Sequence, residues 1–128
     1  MVVAAVASAI EKLRGDFPES PISIREDGEG GVYVILEKVP LGTPYTQDST
    51  WVGFRITAQY PYADVYPHYV RSDLSRRDGR AVAGELQRVS FESREAFQIS
   101  RRSNRLNPAT DTAALKLHKV VTWLLTRP

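Results

Sequence analysis

The sequence predicts a single α+β domain over residues 1–128, with a helix near each end and an antiparallel meander of four strands between them. Three observations carry this expectation. Apolar residues recur at three-and-four spacing in both end segments, they alternate with polar residues in the middle, and glycine and proline punctuate the alternating runs.

In the first segment Val2, Val3, Val6, Ile10 and Leu13 line one face of a helix that Gly15 closes. Pro18 and Pro21 break the chain before Ile22-Ser23-Ile24-Arg25, which alternates as a half-buried strand does. Asp27-Gly28-Glu29-Gly30-Gly31 supplies turn chemistry, and Val32 to Glu37 forms the second strand. Pro40, Gly42 and Pro44 mark a loop. The third strand, Trp51 to Ala58, sets Val52, Phe54 and Ile56 against Gly53, Arg55 and Thr57.

Tyr60-Pro61 and Tyr66-Pro67 stiffen the next loop, because each proline fixes its own φ and biases the preceding residue toward an extended shape. His68 to Arg71 reads as a fourth strand at the sheet edge. From Ser72 to Leu106 the periodic signal fades, and the expectation is an irregular arginine-rich loop with one short strand near Gln87 to Phe91. In the last helix, packed on the sheet, Asn107 caps and Pro108 takes the first position. Ala114, Leu117, Val120, Val121 and Leu124 form its apolar stripe.

A chain of this length that is 42% hydrophobic buries one ordinary core, and 25% charged residues with no extreme segment excludes a disordered or fibrous protein. Thirteen arginines stand against four lysines. Nine of those arginines and five acids lie between Arg71 and Arg105, a local excess of +4, so the positive charge is regional. With no cysteine, the chain has no disulfide framework, no cysteine metal site and no thiol nucleophile. The apolar run Val2 to Ile10 lacks a preceding positive charge and leads directly into Glu11-Lys12-Leu13-Arg14, which argues against a secretory signal. No run approaches a membrane span, so a cytoplasmic protein is expected.

Three groups of residues, in order, give the chain a likeness to a known family. Gly42-Thr43-Pro44-Tyr45 followed by Trp51-Val52-Gly53-Phe54-Arg55-Ile56 resembles the Pro-Tyr loop and third strand of the ubiquitin-conjugating enzymes. Tyr60-Pro61, with Pro67 five residues beyond Tyr62, resembles that family's turn before its fourth strand. Leu106-Asn107-Pro108 resembles its Trp-x-Pro element at the start of a helix. The similarity covers nearly the whole chain but leaves out the family's last helices, which resembles bacterial members encoded beside an activating enzyme and a ubiquitin-like protein. Ser100-Arg101-Arg102 is similar to one such bacterial subgroup.

The resemblance implies a catalytic cysteine eight residues before the tryptophan, and that position here holds Gln98. Glutamine offers no thiolate to take an activated modifier. The family's His-Pro-Asn element is missing too, and with it the asparagine that would stabilise an oxyanion. The resemblance therefore implies a non-catalytic, cofactor-free adaptor for a ubiquitin-like protein or its activating enzyme. An alternative is an active transferase whose cysteine has been replaced or whose nucleophile is a serine, Ser100 or Ser103.

Arg101, Arg102 and Arg105 are the candidate partner contacts, since a guanidinium pairs bidentately with carboxylates. Nucleic acid is the weaker partner class for these charges; Arg71, Arg76, Arg77, Arg80 and Arg88 would extend the patch, but no nucleic-acid motif accompanies them. Tyr60, Tyr62, Tyr66 and Tyr69 suggest an aromatic cluster around two prolines, and Tyr62 and Tyr66 are its candidate peptide contacts. His68 and His118 are too few and too far apart for a metal site. Trp123 and Leu125, if uncovered, would serve a homodimer or an operon partner.

Overall fold

The computed structural model describes residues 2–80, 82, 86–103 and 105–126. Helix α1 (Ala4–Asp16) is followed by strands β1 (Ile22–Glu26), β2 (Val32–Pro40), β3 (Ser49–Ile56), β4 (His68–Arg71), β5 (Gln87–Phe91) and β6 (Arg94–Ile99), and helix α2 (Ala113–Thr126). The strands form one antiparallel sheet in the order β1-β2-β3-β4-β6-β5. Both helices lie on one face, where Val6, Leu13, Leu117 and Leu124 meet Val34, Phe54, Val70 and Phe97 in a continuous core.

The α+β class and the helix-flanked meander stand, but the expected four strands are six among the described residues. The supposed loop from Ser72 to Leu106 contains a hairpin whose inner strand, β6, pairs with β4. His68 to Arg71 is therefore an interior strand instead of an edge. The hairpin turns on Glu92 and Ser93, both at positive φ (49° and 65°), the geometry of a two-residue primed turn. Such turns usually announce themselves through Asn or Gly. Here neither is present: the short strand expected near Gln87 to Phe91 is observed as β5, but its partner β6 was not legible.

The second face of the sheet is also covered. Phe91, at the end of β5, lies over it, stacked on Tyr69 at 4.3 Å between ring centroids and near Trp51 at 6.5 Å. Gly53 makes room for this ring: a Cβ there would sit 2.5 Å from the Phe91 ring. Arg25 on β1 reaches Glu92 with two hydrogen bonds, and Arg94 reaches Glu37 on β2 with two more, pinning the hairpin end across the sheet. Strand β1 itself is mostly exposed, with only Ile22 half-buried, so its alternation marks an edge strand.

The start of the last helix also differs from expectation. Asn107 and Pro108 lie in a separate turn, in which the Asn107 side chain accepts from Ala109 N–H and Asp111 accepts from Asn107 N–H. Thr112 supplies the cap of α2, its hydroxyl oxygen accepting from Leu115 N–H at 3.1 Å. Tyr60 reinforces this start, its phenol oxygen accepting from Ala113 N–H. At the other end of α2, Tyr45 from the Pro-Tyr loop is fully buried and donates its hydroxyl to the Leu124 carbonyl at 2.6 Å. No helix among the described residues is long and apolar enough to cross a membrane.

Candidate functional site

The sequence after β6 runs beside α2, and their facing side chains enclose a cleft of about 380 Å³. Lys116, Lys119, Val120 and Trp123 recur at helical spacing along one stripe of α2, next to the apolar stripe that faces the core. Arg101, Arg102, Ser103 and Arg105 form the opposite wall.

Ser103 fixes that wall. Its N–H and hydroxyl both donate to Asp64 in the proline-rich loop, at 2.7 and 2.9 Å. Lys116 Nζ donates to both Asp64 oxygens at 3.3 and 3.2 Å and to the Ser103 hydroxyl at 3.0 Å. Burial pushes the Asp64 carboxyl up, but the two Ser103 donors and the Lys116 ammonium outweigh it, so its pKa lies below the usual carboxylate value. Beneath this cluster His68 is wholly buried, with both ring nitrogens lacking a hydrogen-bond partner. Burial pushes its pKa down to about 3, the nearby Lys116 charge adds to that shift, and Asp64 opposes it.

Two of the wall arginines are held by aromatic faces. The Arg101 guanidinium lies 4.9 Å from the Trp123 ring centroid and that of Arg102 lies 4.6 Å from Tyr66. Stacking uses the face of a guanidinium and leaves N–H groups in its plane available to an anion.

The charge inventory separates this cleft from the rest of the surface. Arg71 pairs with Asp73, Arg76 and Arg80 with Asp78, and Arg94 with Glu37. Arg25 pairs with Glu92, and Arg55 with Asp27 and Glu29. Among the described residues, Arg101, Arg102, Arg105 and Lys119 form no ion pair, and Asp111 is the one carboxylate lining the cleft. The regional excess of positive charge thus divides: Arg71, Arg76, Arg80 and Arg94 hold carboxylates, Arg77 and Arg88 form no ion pair among the described residues, and four cations without an ion pair gather in the cleft.

The structure brings Arg101, Arg102, Arg105 and Ser103 together, with Tyr66 beneath Arg102, and leaves Gln98, Ser100 and Tyr62 outside the cleft lining. Gln98 lies on β6 opposite Tyr69, outside the cleft, and donates through Nε2 to the Ser100 hydroxyl at 2.9 Å. Ser100 is exposed. The expected tyrosine cluster is not formed: Tyr69 stacks on Phe91, Tyr60 caps α2, Tyr66 lies under Arg102, and Tyr62 is 79% exposed. Alternation along β4 sends Tyr69 to the opposite face of the sheet from His68, which separates it from the loop.

Trp123 and Leu125 are partly buried against the core, so they do not form the uncovered apolar patch considered for a homodimer. His118 stacks on Phe17 at 4.6 Å and joins the two helices. Among the described residues no group of three or more histidine, aspartate or glutamate side chains is placed to hold a metal ion.

Asp64, Lys116 and Lys119 were missed by sequence reasoning. The two lysines and Trp123 recur at intervals of three and four beside the apolar stripe, a signal that would have found them; Asp64 had none. No family model matches the chain, and neither does any curated protein or solved structure.

Proposed function

We propose that the chain is a non-catalytic ubiquitin-conjugating-like recognition domain. In this reading it holds an acidic face of a ubiquitin-like protein, or of its activating enzyme, and acts as an adaptor in a bacterial conjugation-like system. The observation that carries the reading is the concentration of unpaired arginines in one cleft of a chain that lacks any thiol. A thioester cannot form on these residues, whereas guanidinium groups without internal partners are suited to acidic surfaces. The order of the Pro-Tyr, Tyr-Pro and Leu-Asn-Pro elements along the chain supplies the link to ubiquitin-like partners.

The test is co-purification with a ubiquitin-like protein and an activating enzyme from the same genome, sought first among the neighbouring genes. Binding is expected, and Arg101→Glu with Arg102→Glu abolishes it; failure of the unaltered protein to bind either partner sinks the adaptor reading.

One observation favours a second reading. Ser103 lines the cleft and touches both Lys116 and Asp64, so it is the better placed of the two candidate serine nucleophiles. Yet its proton is directed to a carboxylate of lowered pKa, a weak base, and a lone pair of its oxygen is occupied by an ammonium. That arrangement suits a structural staple better than a nucleophile. An ATP-dependent adduct that survives reducing agent and maps to Ser103 or Ser100 would establish the transferase reading instead. Nucleic acid fits less well than either, because three of the five arginines that would extend the patch, Arg71, Arg76 and Arg80, already hold carboxylates, and among the described residues only Arg77 and Arg88 do not.

A further inference from the structure

The same cleft has the features of a receptor for one discrete, multiply charged anion. Its lining carries Arg101, Arg102, Arg105, Lys116 and Lys119 against Asp111. Lys116 is neutralised by Asp64, which leaves four cations facing one carboxylate. A single carboxylate ligand would leave most of that excess uncompensated, whereas a phosphate dianion presents three acceptor oxygens and nearly twice the charge. Stacking on Trp123 and Tyr66 fixes Arg101 and Arg102 before any ligand arrives, so little side-chain entropy is lost when they bind. The floor is a charged side chain withdrawn from water, since Lys116 is only 8% exposed. The volume of about 380 Å³ accommodates a small phosphorylated molecule or group.

We propose that this cleft binds a phosphate group, as a phosphomonoester or a pyrophosphate, through Arg101, Arg102, Arg105 and Lys119. The proposal does not depend on the adaptor reading, because it requires no partner protein. Trp123 reports on occupancy, since an anion bound in the plane of the stacked Arg101 guanidinium changes the electrostatic environment of the indole.

The experiment follows Trp123 fluorescence in a Trp51→Phe background while inorganic pyrophosphate is added, with ionic strength held constant by sodium chloride. A saturable change is expected, with acetate producing none. Arg105→Gln with Lys119→Gln raises the midpoint by at least about tenfold, the effect of losing charge-assisted hydrogen bonds. Neither residue has an ion-pair partner among the described residues, so the variant keeps its circular dichroism spectrum and melting temperature. Absence of a saturable change, an equal response to acetate, or an unaltered midpoint in the folded variant overturns the proposal. AMP and a phosphoserine peptide distinguish the sources: tighter binding of the first than of inorganic phosphate supports a nucleotide ligand, and of the second a phosphorylated side chain.

Discussion

Lys116 of α2 and Asp64 of the proline-rich loop form an ion pair of 3.2 Å in which the lysine side chain is 9% exposed and the carboxylate 21%. Ser103 completes the contact, so three segments distant in sequence meet at one carboxylate. This junction sets the path of residues 100–103 and thereby the direction from which Arg101 and Arg102 enter the cleft. The wall of the cleft is built on a buried charge.

Asp64→Asn therefore destabilises the fold by about 3 kcal/mol, because an ammonium withdrawn from water loses its counter-charge. Asp64→Leu combined with Lys116→Met recovers most of that loss, since a matched apolar pair strands no charge. Urea denaturation of the two variants checks the order. An Asp64→Asn protein as stable as the unaltered one would show that Lys116 has an alternative route to water.

His68 makes folding sensitive to acid. Its folded-state pKa is near 3, against 6.5 for the free side chain. Between these values the unfolded chain binds more protons than the folded one, so stability falls as pH drops through the window, by at most about 1.4 kcal/mol per pH unit. Above 6.5 the histidine contributes no slope. His68→Leu removes this contribution and also two buried nitrogens without partners, so the variant loses less stability between about pH 8 and about pH 5. Denaturant midpoints at the two pH values measure the difference; equal losses in both proteins would mean that the imidazole is hydrated in the folded state.

The hairpin end leans on a single glycine. Gly53→Ala places a methyl group 2.5 Å from the Phe91 ring, which is itself stacked on Tyr69. The expected cost is about 1–3 kcal/mol, the usual range for overpacking. Phe91→Leu in the Gly53→Ala background relieves part of it, giving a favourable coupling energy in a double-mutant cycle. Additive losses would show that the ring does not rest on Gly53.

These particulars explain what was legible beforehand. Strands β2 to β4 were readable because inward residues such as Val34, Phe54 and Val70 are apolar and spaced by two. Strand β6 was not, because it is covered on both faces: Phe97 and Ile99 enter the main core while Ala96 lies under the aromatic cover with Phe91. Its alternation is blurred, and the Glu92-Ser93 turn carries no glycine to mark it. The last helix was legible as an apolar stripe, but its first turn was misplaced because Asn107 and Pro108 organise a turn of their own before Thr112. For the site, three neighbouring arginines were visible in the sequence. Their distinction from the other arginines was legible only in part, since Arg71–Asp73 and Arg76–Asp78 are neighbours in sequence whereas Arg94–Glu37 joins residues remote along the chain.

That distinction yields the most direct measurement. The affinity of a ubiquitin-like or activating protein, the partner class proposed, is to be compared between two charge-matched variants, Arg101→Glu with Arg102→Glu and Arg77→Glu with Arg88→Glu. The account predicts a loss of at least about tenfold in the first and little change in the second, because only the first alters the cleft. Equal weakening in both would mean that net charge alone governs association, and undiminished binding in the first would place the contact surface elsewhere on the chain.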